Sequence, residues 1–89
     1  MIREFVWASA FRRGFRSRIA GQPVETAFWQ RIDVFRQDPF DARLKTHRLS
    51  VKLDRYWAFS VAYDCRVVFR YLSEDRVVLA DIGTHEEVY

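Results

Sequence analysis

Eighty-nine residues are enough for one hydrophobic core and no more, and a formal charge of +3 with a pI near 9.4 leans weakly toward an anionic partner. Hydrophobic residues make up 49% of the chain and aromatic residues 17%, so that core needs no metal or disulfide staple. Cys65, the one cysteine, excludes an intrachain disulfide framework and every multi-cysteine metal motif, and fits a reducing cytosol. The opening Met1-Ile2-Arg3-Glu4 lacks the apolar run of a signal peptide, and no apolar stretch approaches the roughly 20 residues of a membrane span. The expectation is a cytoplasmic chain, outside any membrane, forming one domain over residues 1–89.

Ile2 to Trp7 is a short β-prone run, with Ser9 after it as a helix N-cap. Phe11, Phe15 and Ile19 then recur four residues apart, which predicts a short helix ending near Gly21, with Arg12, Arg13, Arg16 and Arg18 turned outward. Pro23 suits the first turn of a second helix, whose apolar face is Val24, Ala27, Phe28, Ile32 and Phe35 and which Asp38-Pro39 stops; the pair reads as a helical hairpin.

Phe40 to Arg55 carries little periodicity and many charges, which predicts a mostly irregular basic connection tethered by Leu44, Leu49, Val51 and Leu53. The period then becomes two. Trp57, Phe59, Val61 and Tyr63 make the bulky face of one strand, Asp64 sits at a turn, and Cys65, Val67, Phe69 and Tyr71 make the next. A third strand runs from Arg76 to Ile82. The order strand-helix-helix-strand-strand-strand predicts an α+β fold, an antiparallel sheet with the helical hairpin on one face and the other face open. Where the first strand joins the sheet is not set by the sequence.

Basic residues gather in two windows, the arginines of the first helix and Arg43, Lys45, Arg48, Lys52 and Arg55; acidic ones gather late. Such patches suit a phosphate backbone or an acidic protein, and the competing reading is ordinary solvated faces. With three glycines, the chain has no phosphate loop, and it has no metal-ligand motif or nucleophile elbow, so neither cofactor nor metal is expected.

The groups that suit RNA chemistry are Lys45, His47 and Lys52 in the basic connection, Arg66 on the sheet, and His85 and Tyr89 at the end. Arg66 falls on the face away from the helices, because Cys65 and Val67 take the other, and its planar guanidinium is shaped to clamp phosphate. A surface ion pair to Asp64 or Asp81 is the competing use. His85 otherwise reads as an exposed tail residue, Tyr89 as a packed terminal ring and Cys65 as a small buried apolar side chain.

Two segments, Asp64-Cys65-Arg66-Val67-Val68-Phe69-Arg70 and Asp81-Ile82-Gly83-Thr84-His85-Glu86-Glu87-Val88-Tyr89, resemble the last strands and tail of RelE/StbE-type toxins. His47-Arg48-Leu49 through Lys52-Leu53 resembles their basic loop. The RelE/ParE superfamily supplies the toxins of type II toxin-antitoxin modules, and the resemblance implies a RelE-like fold and a metal-independent mRNA endonuclease acting on the ribosome. The implied step is attack of a ribose 2′-hydroxyl on the adjacent phosphate, with a general base, a general acid and cationic groups around the phosphorane.

Carried over by position, the resemblance makes His85 an acid/base group and Arg66 the phosphate-binding strand arginine. His47 and Asp64 match a loop histidine and a turn aspartate of YafQ-like members, and Lys52 falls in the region of the RelE catalytic lysines. Tyr89 matches the final aromatic that stacks on or orients a base, and Lys45, Arg48 and Arg55 complete the substrate-binding set. A histidine suits the task because its pKa near ~6.5 lets it exchange protons at neutrality. The general base stays open among His47, Lys52 and Asp64.

The chain departs from the pattern twice: Asp54-Arg55 stands where a Lys-Gly pair is usual, and Cys65 stands where an aromatic is usual. The implied partners are an antitoxin, in a hetero-oligomer, and mRNA on the ribosome. Two other functions suit the same fold: a ParE-like, non-catalytic inhibitor of DNA gyrase, which generally lacks the histidine-bearing tail, and a degenerate toxin that keeps only antitoxin binding.

Overall fold

The computed structural model describes residues 1–49 and 55–84. Alternation in the first strand, β1 (Glu4–Trp7), turns Phe5 and Trp7 toward the helices and Glu4 and Val6 outward. Trp7 meets Phe11 edge-on at 4.7 Å and Phe28 at 6.3 Å. Helix α1 (Ser9–Gly14) starts one residue earlier than an N-cap at Ser9 requires: Ala8 holds the cap position, and no side chain bonds there. The helix runs on into a π turn over Phe15–Ile19, in which the Ala20 N–H reaches back five residues to the Phe15 carbonyl at 2.9 Å. Phe11 and Ile19 are buried and Phe15 half-buried, while Arg12, Arg13, Arg16 and Arg18 are all exposed, so the predicted stripe and its basic back are both present.

Gly21 ends this segment at φ +76°, a conformation that costs other residues steric strain. Its N–H donates to the Glu25 carboxylate at 2.8 Å, and the Trp29 indole N–H donates to the same group at 2.9 Å. Those bonds, Trp29 first, hold Glu25 ionised below the ordinary glutamate range.

Helix α2 (Val24–Gln37) buries Phe28, Ile32 and Phe35 at helical spacing and stops at Asp38, which is extended; the Asp38 carboxylate accepts the Phe40 N–H at 2.9 Å. Phe35 anchors the core, stacked on Phe59 at 4.7 Å and edge-on to Phe69 at 4.8 Å. Each of these rings is fully buried, which contributes about 1.5–3 kcal/mol apiece.

The basic connection is mostly irregular, as its composition predicts. It contains a 3₁₀ turn (Ala42–Leu44) that buries Leu44, and a two-residue strand β2 (His47–Arg48). Of its other predicted tethers Leu49 is half-buried, and Val51 and Leu53 lie outside the described residues. Strands β3 (Trp57–Ala62), β4 (Cys65–Ser73) and β5 (Arg76–Gly83) follow as the expected meander.

The sheet order is β1-β5-β4-β3-β2. The sheet is mixed rather than antiparallel throughout, because β1 lies parallel to β5, with Glu4 opposite Arg76 and Trp7 opposite Leu79. The two-helix excursion carries the chain to the far side of the sheet, and the meander then returns its last strand beside β1 in the same direction. An ion pair between Glu4 and Arg76 spans the two strands.

Two further points differ from the period-two reading. The face away from the helices is not fully open: Ala58, Val68 and Val78 are buried there. Tyr63 does not continue the core face of β3. A bulge between Ser60 and Ala62 shifts the register so that the strand ends at Ala62, and Tyr63 stands on the turn, 97% exposed.

Candidate functional site

Beyond its two pairs with β2, at Ala58 and Trp57, the outer edge of strand β3 pairs with no other strand among the described residues. A groove of about 280 Å³ opens there, lined by Arg31 from α2, Arg43 and Lys45 from the basic connection, Ser60–Tyr63 of β3 and its turn, and Arg66 of β4. Four cations from three separate parts of the chain thus meet at one edge, and the described lining holds no carboxylate.

The local geometry explains how each is placed. The Asp41 carboxylate accepts the Arg43 backbone N–H at 2.9 Å and is gripped by the Arg43 guanidinium at 2.9 and 3.0 Å, which closes the 3₁₀ turn. That hydrogen bonding to Arg43, with smaller help from the nearby Arg31 charge, brings the Asp41 pKa down to about 2. Lys45 then takes a left-handed conformation, φ 53°, and its carbonyl meets His47 Nδ1 at 3.0 Å. This bend delivers the chain into β2.

Arg66 sits opposite Ser60 on β3 and Gly83 on β5, on the face away from the helices. Its Nη1 donates to the carbonyls of Ala62 at 3.0 Å and Tyr63 at 3.1 Å. The competing ion pairs to Asp64 or Asp81 are not what it makes: the turn carbonyls lie closer. Tyr63 and Asp64 form a two-residue hairpin loop, and neither has the positive φ that such loops favour. The Arg66 guanidinium fastens this turn instead. Among the described residues its Nε and Nη2 have no hydrogen-bond partner, so they remain as donors beside the groove.

His47 is exposed and pairs with Ala58, hence shares the face of Arg66. Two strands across and two residues along place their Cα atoms roughly 12 Å apart, a span their two side chains can bracket from opposite sides. Asp64 lies on the other side of the turn, where a second groove of about 380 Å³ is lined by Arg18, Ile19, Val24 and Cys65 among others. Arg48 is placed over the Trp57 ring at 5.4 Å, and Arg55 is exposed in the turn before β3. Lys52, His85 and Tyr89 lie outside the described residues.

The structure therefore brings Arg66 and Lys45 into one groove with His47 nearby, and separates Asp64 from them. Of the groove's eight described lining residues only Lys45 and Arg66 are expected from the sequence; Arg31, Arg43 and Tyr63 are the charged and aromatic ones it misses. Arg43 carried a signal, the basic window; Arg31 carried none, standing on a helix 35 residues before Arg66. Cys65 is 7% exposed, and burial pushes its thiol up to about 11, only partly offset by the Arg66 charge. It is a packed side chain, as its apolar neighbours suggest. Among the described residues no three His, Cys, Asp or Glu side chains come together in a way that could hold a metal ion, and no helix is long and apolar enough to cross a membrane.

Architecture and groove together define a small α+β protein with a cationic groove at a sheet edge, and its fold is that of the RelE/ParE-type toxins. A copper-bound mutant toxin from Helicobacter pylori superimposes with a TM-score of 0.80 at 19% identity over 100% of both chains. The YoeB/ParE toxin from Agrobacterium tumefaciens gives 0.77 at 18% identity, over 93% of this chain and 99% of that one. A chain of the E. coli DinJ-YafQ toxin-antitoxin complex gives 0.71 at 14% identity, over 100% and 99%. At these identities the likeness is one of fold. No protein-family model and no curated protein sequence matches the chain.

Proposed function

We propose that this chain is the toxin of a type II toxin-antitoxin module and an endoribonuclease that cuts mRNA on the cytoplasmic ribosome. The observation that carries the reading is the convergence of Arg31, Lys45 and Arg66, beside the Asp41-paired Arg43, on one groove whose described lining holds no carboxylate. Such a groove attracts a phosphate backbone, and the two nitrogens of Arg66 that have no hydrogen-bond partner among the described residues are suited to the non-bridging oxygens of the phosphorane as charge builds on them.

In this reading the 2′-hydroxyl attacks the adjacent phosphorus, the 5′ oxygen of the next nucleotide leaves, and His85 gives that oxygen its proton. The hydroxyl proton goes to His47, Lys52 or Asp64. Of the two that lie among the described residues, His47 shares the sheet face of Arg66, while Asp64 faces the second groove. An antitoxin completes the account, binding as a hetero-oligomer and covering the basic groove; the presence of a toxin-antitoxin complex among the proteins of like fold supports this partner.

The test is mRNA cleavage in a reconstituted translation extract by wild type, His85→Ala and Arg66→Ala, each first confirmed to be folded. Wild type cuts, and loss of one general acid/base group lowers cutting by about 100-fold or more. Intact mRNA with wild type, together with inhibition of DNA gyrase, refutes the reading.

A further inference from the structure

We infer that Tyr63 is the stacking platform of a nucleotide subsite for single-stranded RNA, its ring taking one base while the adjoining groove of Arg31, Arg43, Lys45 and Arg66 holds that nucleotide's phosphate. This rests on the ribonuclease reading above and adds a recognition residue to it.

The ring is conspicuous by its exposure. Phe11, Phe28, Phe35, Phe59 and Phe69 are fully buried, whereas Tyr63 is 97% exposed between the buried Val61 and Cys65, two residues away on either side. Tyr63 lines the basic groove on one flank and the apolar one on the other, so it forms the ridge between them. A flat, amphipathic ring beside a row of cations fits the two faces of a nucleotide, an apolar base and a charged phosphate.

Its backbone is also fixed in advance. Arg66 Nη1 holds the carbonyls of Ala62 and Tyr63, so the turn that presents the ring is fastened by the guanidinium whose other nitrogens face the phosphate groove. Binding then spends little entropy on ordering the platform. Stacking requires an unpaired base, so the subsite selects single strands over duplex.

The experiment is fluorescence anisotropy with a short labelled 2′-O-methyl RNA, which has no free 2′-hydroxyl to attack, run against the same sequence as a duplex. Tyr63→Ala, whose melting temperature should match wild type because the ring is exposed, is expected to weaken single-strand binding about 5- to 100-fold. Its salt dependence and its duplex binding should stay unchanged, and Tyr63→Phe should bind like wild type. Wild-type affinity in Tyr63→Ala, from a protein that does cut mRNA in the extract, overturns the subsite and leaves the ribonuclease reading standing. Equal weakening toward strand and duplex also overturns it. A wild type that neither binds the oligonucleotide nor cuts mRNA overturns both.

Discussion

Replacing Gly14 by alanine sets two opposed effects against each other. Gly14 is buried at the end of α1 with ordinary helical angles, φ −63°. By helix propensity alone, alanine there stabilises by about 1 kcal/mol. A Cβ at this position, however, would stand 2.8 Å from the Ile82 carbonyl oxygen and 2.9 Å from Ile82 Cγ2. The first contact is backbone of β5, held in register by Val67 of β4, and the second belongs to a fully buried side chain. Neither can swing away, so α1 must lift from the sheet. Overpacking of this kind costs about 1–3 kcal/mol, and contacts that cannot give put it in the upper part of that range, above the propensity gain. We expect Gly14→Ala to be net destabilising by about 1–2 kcal/mol, lowering the melting temperature by roughly 4–15 °C in a domain of this size. Urea unfolding checks it, with a lower midpoint and an unchanged slope. A variant stabilised by about 1 kcal/mol would refute the close seating of α1 on β5.

Other perturbations read different parts of the structure. Phe35→Ala removes the ring that stacks on Phe59 and meets Phe69, and should cost about 3–5 kcal/mol in the same urea assay. Lys45→Ala takes one cation from the groove and should reduce the slope of log affinity for single-stranded RNA against log salt by about 0.7, measured by anisotropy between low and moderate salt. Cys65, with its thiol pushed up from 9.0 to about 11, carries about 100-fold less thiolate at neutral pH than the same thiol in the unfolded chain. Native protein should therefore react with a disulfide reagent at least that much more slowly than protein in urea. Because the folded pKa is the higher one, this thiol's contribution to stability is complete below about pH 9 and is lost as pH rises through about 11. Urea unfolding of wild type and Cys65→Ala across that window should diverge.

Much of this architecture is legible because it is local. The spacing of Phe28, Ile32 and Phe35 defines α2 unaided, Asp38-Pro39 marks its end, and the alternation through β3 and β4 identifies the core-facing side chains. The parallel seat of β1 beside β5 depends on where a long excursion returns, which no local pattern encodes. Period two carried across the bulge puts Tyr63 on the core face, and one extra residue in β3 is enough to put the ring in solvent. The groove is the least legible feature. Lys45 and Arg66 are visible as candidates from charge and resemblance, but their meeting with Arg31 is set by how α2 crosses the sheet. The same is true of the partners of Arg66. Sequence offers the carboxylates of Asp64 and Asp81, and the fold supplies turn carbonyls instead.

The central claim, that the groove serves 2′-hydroxyl attack on RNA, is tested most directly by the chemistry of the cut ends. Messenger RNA recovered from a translation extract treated with the wild-type chain should carry new 5′-hydroxyl ends paired with 2′,3′-cyclic phosphate or its 3′-phosphate product, and none of these with Arg66→Ala. Cut ends bearing a 5′-phosphate and a 3′-hydroxyl, or mRNA left whole while the wild-type chain is folded and present in excess, would contradict it.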